Sequence, residues 1–219
     1  MNKILVLDLD GTILDCRDRH YACYRSILIK NNLQPLPIDE YWIAKRLKID
    51  IAQILKRSGG GDHYNIFMRE WLYRIEDKNM LLMDKLHPGA LAVLHHWKKN
   101  GYHLILVTAR RNAEALAHQL LHLGIKEMFA EILLSSVSGP GEIKARTFLN
   151  NHPSEAPKVL AWIGDTEADI EAGRYLRTTT VAVSCGIRDR CVLGPLAPDY
   201  LVRDLPDFAE HWRVDPGTG

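Results

Sequence analysis

The stretch "KILVLDLDGTILD", residues 3–15, places two carboxylates, Asp8 and Asp10, at the end of an apolar run and follows them with Gly-Thr. Carboxylates beside a buried strand are costly unless something compensates them. Side chains two apart on a strand point to one side, so strand geometry continued this far turns Asp8 and Asp10 toward one small volume. Like charges that close raise the pKa of at least one of them, and a divalent cation lowers the cost of ionising the other. The pair can then divide the labour of catalysis. An ionised carboxylate is a nucleophile able to form a covalent intermediate. A protonated neighbour donates to a leaving group and later takes a proton from water.

Further polar groups lie far along the chain. Asp165 ends the apolar run "VLAWIGD", directly after Gly164, and Asp169 follows it. A set of oxygen ligands without Cys or His favours Mg²⁺ over zinc. Thr108 ends the run in "LILVTAR" and offers a hydroxyl, with the backbone N–H groups beside it, at Ala109, offering more. Phosphoryl transfer asks for little else than positioning, a metal and positive charge around the equatorial oxygens. Lys144, in "GPGEIKA" at a predicted helix start, is well placed to bring that charge, whereas Lys126 follows a helix exit and reads as a surface lysine.

The elements that must position these groups are legible in the hydrophobic pattern. Continuous apolar runs at Ile4–Leu9, Leu104–Val107, Ile132–Leu134, Val159–Ile163 and Thr180–Val183 fit strands buried on both faces. Helical patterns separate them: Pro88 opens one that Gly101 can stop, and Asn112 caps one that Gly124 can stop. Strands alternating with helices predict a doubly wound parallel α/β sheet, in which ligands sit outside the carboxyl ends of the strands. Asp8, Thr108 and Asp165 fall at that edge.

Residues 16–87 break the alternation. They hold no convincing strand, and Tyr24, Ile27, Leu28, Trp42, Ile43, Leu47, Tyr64, Phe67, Trp71 and Leu72 recur at helical spacing. The division expected is an α/β core over 1–15 and 88–219 and a helical cap over 16–87, able to sit over the aspartates as a lid. The closing "DPGTG" reads as a loose tail. His118 and His122, spaced i, i+4, fall opposite the apolar stripe of their helix and read as solvent-exposed.

The chain has 219 residues, 47% hydrophobic and 25% charged, with Lys+Arg 28 against Asp+Glu 27. That near-neutral balance gives no basic stripe for nucleic acid. Four cysteines without a C-x-x-C pair, and no segment of transmembrane length, point to a cytoplasmic protein with reduced thiols. Oligomeric state is not legible.

"DLDGT", Thr108 after an apolar strand, a lysine ahead of the last core strand and "GDTEADIEAG" together resemble the haloacid dehalogenase superfamily, in the branch of phosphatases with a helical cap after the first motif. The resemblance covers nearly the whole chain. It implies that Asp8 is the nucleophile that becomes an aspartyl phosphate and Asp10 the general acid/base. Thr108, with Ala109 beside it, and Lys144 would hold the transferring phosphoryl group. Mg²⁺ would sit on Asp8, the backbone carbonyl of Asp10 and Asp165, with Asp169 and Gly164 in support. His20 lies where a cap histidine assists the acid/base in related sugar-phosphate mutases; a hinge or solvated histidine fits the spacing as well. Two departures mark this chain: Ala145 follows Lys144 where many capped members have Pro, and "IAKRLKIDIAQIL" has Lys and Arg where relatives often show Gly. The function implied is a phosphatase for a small phosphorylated metabolite such as phosphoglycolate, a sugar phosphate or a nucleotide. The alternatives are a sugar phosphomutase or a non-catalytic binding protein on the same fold.

Overall fold

The computed structural model describes residues 3–135 and 139–212, so the closing "DPGTG" lies outside the described residues. Strand β1 (Lys3–Leu7) buries every residue after Lys3. Ile4 and Val6 pack with Val107, Phe148 and Trp162 on one face. Leu5 and Leu7 pack with Leu106, Ile163 and Trp97 on the other. Burial on both faces is why the run shows no polar alternation.

The chain continues through β2 (Leu14–Asp15), α1 (Arg17–Lys30), α2 (Ile38–Arg46), α3 (Ile51–Arg57), α4 (Tyr64–Arg74), α5 (Lys78–Leu81) and β3 (Lys85–Leu86). It then alternates through α6 (Ala90–Lys99), β4 (Tyr102–Thr108), α7 (Ala113–His122), β5 (Glu131–Leu134), α8 (Gly141–Asn151), β6 (Val159–Gly164), α9 (Glu167–Tyr175) and β7 (Thr179–Val183). Last come α10 (Arg190–Leu193), β8 (Tyr200–Val202) and α11 (Leu205–His211). The main sheet has six strands in the order β5-β4-β1-β6-β7-β8, and every pairing in it is parallel. The expected doubly wound α/β core is therefore present. From β1 the chain builds outward to β4 and β5 on one side, then returns to the other side for β6. The three strands that end in Asp8, Thr108 and Asp165 are thus adjacent. Each Leu, Ile or Phe buried in this sheet contributes about 1.5–3 kcal/mol, which makes the strand ends a stiff platform for polar groups.

Several local expectations differ from the structure. β8 was not anticipated, because a three-residue strand is too short to register as a period. Residues 16–87 are not strandless: β3 within them pairs antiparallel with β2, just ahead of them, where the chain leaves and re-enters the core, matching Leu14 with Leu86 and Asp15 with Lys85. Between them the helices share an aromatic core in which Tyr24 stacks on Tyr41 at 4.3 Å and Phe67 on Trp71 at 5.7 Å. Ile43, Leu47, Tyr64 and Leu72 are exposed instead of joining it. On the short helix α2 the rings of Tyr41 and Trp42 select the buried face, and Ile43 turns outward. Asn112 does cap α7, accepting from the Ala115 N–H at 3.0 Å, and His118 and His122 are exposed.

Candidate active site at the carboxyl edge of the sheet

Asp8 follows β1 and Asp165 follows β6, so two neighbouring strands project carboxylates past the same edge. Asp169 joins them from the first turn of α9, where it forms a capping box with Thr166. Its Oδ2 accepts from Thr166 Oγ1 at 2.7 Å, which fixes the side chain. The three carboxylates are buried, and an oxygen of each lies within 4.8 Å of the others. Lys144, near the start of α8, donates from Nζ to Asp8 Oδ1 at 2.6 Å and to Asp169 Oδ1 at 2.7 Å. Asp165 accepts from the Ile187 N–H at 2.5 Å and from Thr12 Oγ1 at 3.3 Å.

Gly11, Gly164 and Gly186 make room for this packing. Gly11 has φ +86°, and a Cβ there would lie 2.0 Å from Asp165 Oδ2. At Gly164 a Cβ would lie 2.1 Å from Asp169 Cγ. Because Asp169 is pinned by Lys144 and Thr166, it has nowhere to retreat. Gly164→Ala is expected to lower stability by about 1–3 kcal/mol, the usual cost of overpacking. Thermal unfolding reads this directly, and an unchanged Tm would mean that Asp169 is free to move.

The electrostatics follow from burial. Burial pushes Asp8 up to about 7 despite the opposing pull of Lys144, with Asp169 adding to the rise. Burial also raises Asp165 well above the carboxylate range, helped by the charges of Asp8 and Asp169. Burial alone would lower Lys144, but Asp169 and Asp8 hold it firmly protonated. One lysine thus faces three buried carboxylates. The donors are all oxygens, and the missing positive charge is what a hard divalent cation supplies.

Asp10 has a different environment. β1 ends before it, and the residue forms a single bridge with Leu14, so strand alternation does not carry it to the side of Asp8. Its Oδ2 accepts from Arg110 Nε at 2.6 Å, and its Oδ1 accepts from Arg110 Nη2 at 2.7 Å and Arg19 Nη2 at 2.5 Å. Burial would raise its pKa, but Arg110 and Arg19 more than reverse this and hold it at about 2. The sequence suggested that one aspartate is ionised and the other kept protonated. The structure puts the raised pKa on Asp8 and the lowered one on Asp10, because the neighbours of each, not their mutual repulsion, dominate.

Asp8, Asp10, Thr108, Ala109, Lys144 and His20 all line one cavity of about 690 Å³. His20 is not solvated: it is buried near the start of α1 against Trp42 and Trp71, and burial, reinforced by Lys45, drives its pKa well down. Lys45 lines the same cavity with Nζ 5.2 Å from the centre of the Trp71 ring. Burial lowers its pKa to about 8. Sequence reasoning missed Arg110, although it stands two places after Thr108 in "LILVTAR". Nor did it single out Arg19, which is 1% exposed on α1.

The chain matches the family model described as haloacid dehalogenase-like hydrolase over residues 5–183. It is 24% identical to a phosphoglycolate phosphatase of Aquifex aeolicus over 218 residues, 95% of each chain. It is 24% identical to one of Synechococcus elongatus over 95% of this chain and 96% of that one. Among solved structures, it resembles a haloacid dehalogenase-like family hydrolase from Streptococcus pneumoniae with TM-score 0.77 and 18% identity, over 97% of this chain and 99% of that one. It likewise resembles a predicted phosphoglycolate phosphatase from Haemophilus somnus, with TM-score 0.74 and 20% identity over 96% and 97%.

Proposed function

The chain belongs to the haloacid dehalogenase-like hydrolases and is a phosphatase, and from that premise we propose that it hydrolyses a small phosphorylated metabolite through an aspartyl phosphate on Asp8. The observation that carries the reading is Lys144 joining Asp8 to Asp169 beside Asp165, at a sheet edge that opens on a cavity.

Asp8 attacks phosphorus, and the new P–O bond forms as the bond to the ester oxygen breaks. The leaving oxygen takes a proton from Asp10. Water then attacks the aspartyl phosphate and gives a proton to Asp10, and the bond between Asp8 and phosphorus breaks to release inorganic phosphate. Lys144, the Thr108 hydroxyl and the Ala109 N–H are the groups suited to hold the equatorial oxygens. Asp10 as held by its two arginines is a carboxylate, ready for the second step. For the first it must carry a proton, which the negative charge of a bound phosphoryl group favours by raising its pKa. Asp8, Asp165 and the backbone carbonyl of Asp10 would hold Mg²⁺, with Asp169 in support. When bound, the ion neutralises the acid cluster and the charge of the transferring group.

Residues 16–87 act in this reading as the cap. His20, Lys45 and Trp71 reach the cavity from that side. Arg46 Nη2 donates to the Ser184 carbonyl at 2.7 Å and Arg188 Nη1 to the Lys45 carbonyl at 3.2 Å, tying the segment to the core. Such a cover excludes water from the reacting centre. Lys45 has no carboxylate partner among the described residues. A free cation facing the phosphate site favours substrates with a second anionic group, which fits phosphoglycolate, the substrate in the names of the relatives. The four free cysteines fit the cytoplasmic placement.

The test is phosphate release from a panel of small phosphomonoesters, with Mg²⁺ or with EDTA. Metal-dependent release led by a carboxylated ester is expected. Activation by a sugar bisphosphate would move the reading to a mutase, and no release from any ester would overturn it.

A further inference from the structure

Behind Asp10 lies a closed ring of alternating charge. Arg19 donates from Nη2 to Asp10 and from Nε to Asp84 Oδ1, the latter at 2.8 Å. Arg110 bridges the same two carboxylates from the other side, with Nη2 3.4 Å from Asp84 Oδ2. Gln119 Nε2 completes the shell of Asp84 at 2.7 Å. The Asp84 side chain is 0% exposed, and those of Arg19 and Arg110 are 2% and 4%.

The ring draws on both passages of the chain between core and helical segment. Arg19 is in the first turn of α1, just after the outward passage, and Asp84 stands just before β3, at the return. Asp10 and Arg110 belong to the loops after β1 and β4. Neither arginine is free to settle elsewhere while Asp84 balances it, because a buried guanidinium needs carboxylate partners. Asp84 itself does not line the cavity. The side-chain pairs in the ring are few and stiff, and a misplacement of about 1 Å in a catalytic group costs about 10²-fold in rate.

We propose that Asp84 is a positioning residue: through Arg19 and Arg110 it sets the carboxyl group of Asp10 against the leaving-group oxygen, so that Asp10 is aligned only while the helical segment is seated on the core. This rests on the phosphatase reading above. It assigns Asp84 no contact with substrate. Its effect falls on the step in which Asp10 protonates the departing oxygen, and an aryloxide that leaves unprotonated should escape it.

The experiment compares kcat/KM of the Mg²⁺-loaded wild type and Asp84→Asn for two esters, p-nitrophenyl phosphate and an alkyl phosphomonoester. General acid catalysis is worth about 10²–10⁴-fold. Asp84→Asn is expected to lower kcat/KM about 10–100-fold for the alkyl ester, to change it within about threefold for p-nitrophenyl phosphate, and to leave KM for the latter nearly unaltered. Should Asp84→Asn not fold, Gln119→Met, which keeps all four charges, is expected to show the same contrast at smaller size. Equal losses with both esters, or none with either, overturn the positioning role while leaving a working phosphatase. Wild type that releases phosphate from neither ester overturns the phosphatase reading and this proposal with it.

Discussion

Asp8→Asn is expected to abolish turnover, by about 10⁴-fold or more, as loss of a covalent nucleophile does. The substitution changes little else. Asn matches Asp in size, its amide oxygen can still accept from Lys144, and Lys144 keeps its second partner, Asp169. The fold should not suffer. Burial raises the Asp8 pKa to about 7, so its ionised form is a liability to the metal-free fold near neutral pH. The metal-free variant is therefore expected to melt no lower than wild type at pH 8. Mass spectrometry after a rapid acid quench should find one added phosphoryl group on the peptide holding Asp8 in the wild type and none in the variant. Residual turnover within tenfold of wild type would remove Asp8 from the nucleophile role, whatever the Tm.

Much of this arrangement was legible in the residue order, for physical reasons that also mark where legibility stops. The parallel core could be read because strands buried on both faces leave unbroken apolar runs, as in β1, β4 and β6. The placement of Asp8, Thr108 and Asp165 followed from them, since in a parallel sheet all strands deliver their last residues to one edge. Lys144 was readable because it lies near the start of the helix that separates β5 from β6. The ring around Asp10 was not readable. Its members lie far apart in sequence, at positions 10, 19, 84 and 110, and nothing local distinguishes a buried arginine on an amphipathic helix from a solvated one. Partner identity decides burial there, and partners are a property of the fold. The same limit explains Ile43 and Leu47: their apolar character predicted a helix correctly, but Tyr41 and Trp42 chose which face to bury. The proton assignment between Asp8 and Asp10 had the same origin. Two carboxylates can be counted from the chain; the arginines that separate their pKa values cannot.

Lys144→Met should produce the other large effect, and one whose dependence on pH identifies its cause. Lys144 is the cation against which Asp8 and Asp169 are packed, and its side chain is 8% exposed. Removing one partner of a buried charge group costs about 3–5 kcal/mol, so the metal-free variant is expected to lose that much at pH 8. The loss should shrink at low pH. Asp8 and Asp165 already have raised pKa values in the folded chain, while in the unfolded chain they titrate near 4. Between about 4 and about 7 the native state thus binds more protons, and stability falls as pH rises through that window. Without Lys144, which pulls the Asp8 pKa down, the rise is larger, so the fall in stability continues to higher pH and the loss relative to wild type grows there. At pH 5 the carboxyls take up protons in place of the missing ammonium, and the variant should approach wild type. Mg²⁺ at pH 8 should restore part of the loss by supplying charge to the same cluster, as binding to the native state requires. Turnover should still fall about 10²–10³-fold, because the metal cannot replace a donor to the transferring phosphoryl group. Denaturant titrations at pH 5 and pH 8, with EDTA or Mg²⁺, measure all of this in one series. A loss equal at both pH values and indifferent to the metal would mean that Lys144 matters only as packing, and that the three carboxylates do not act as one charged site.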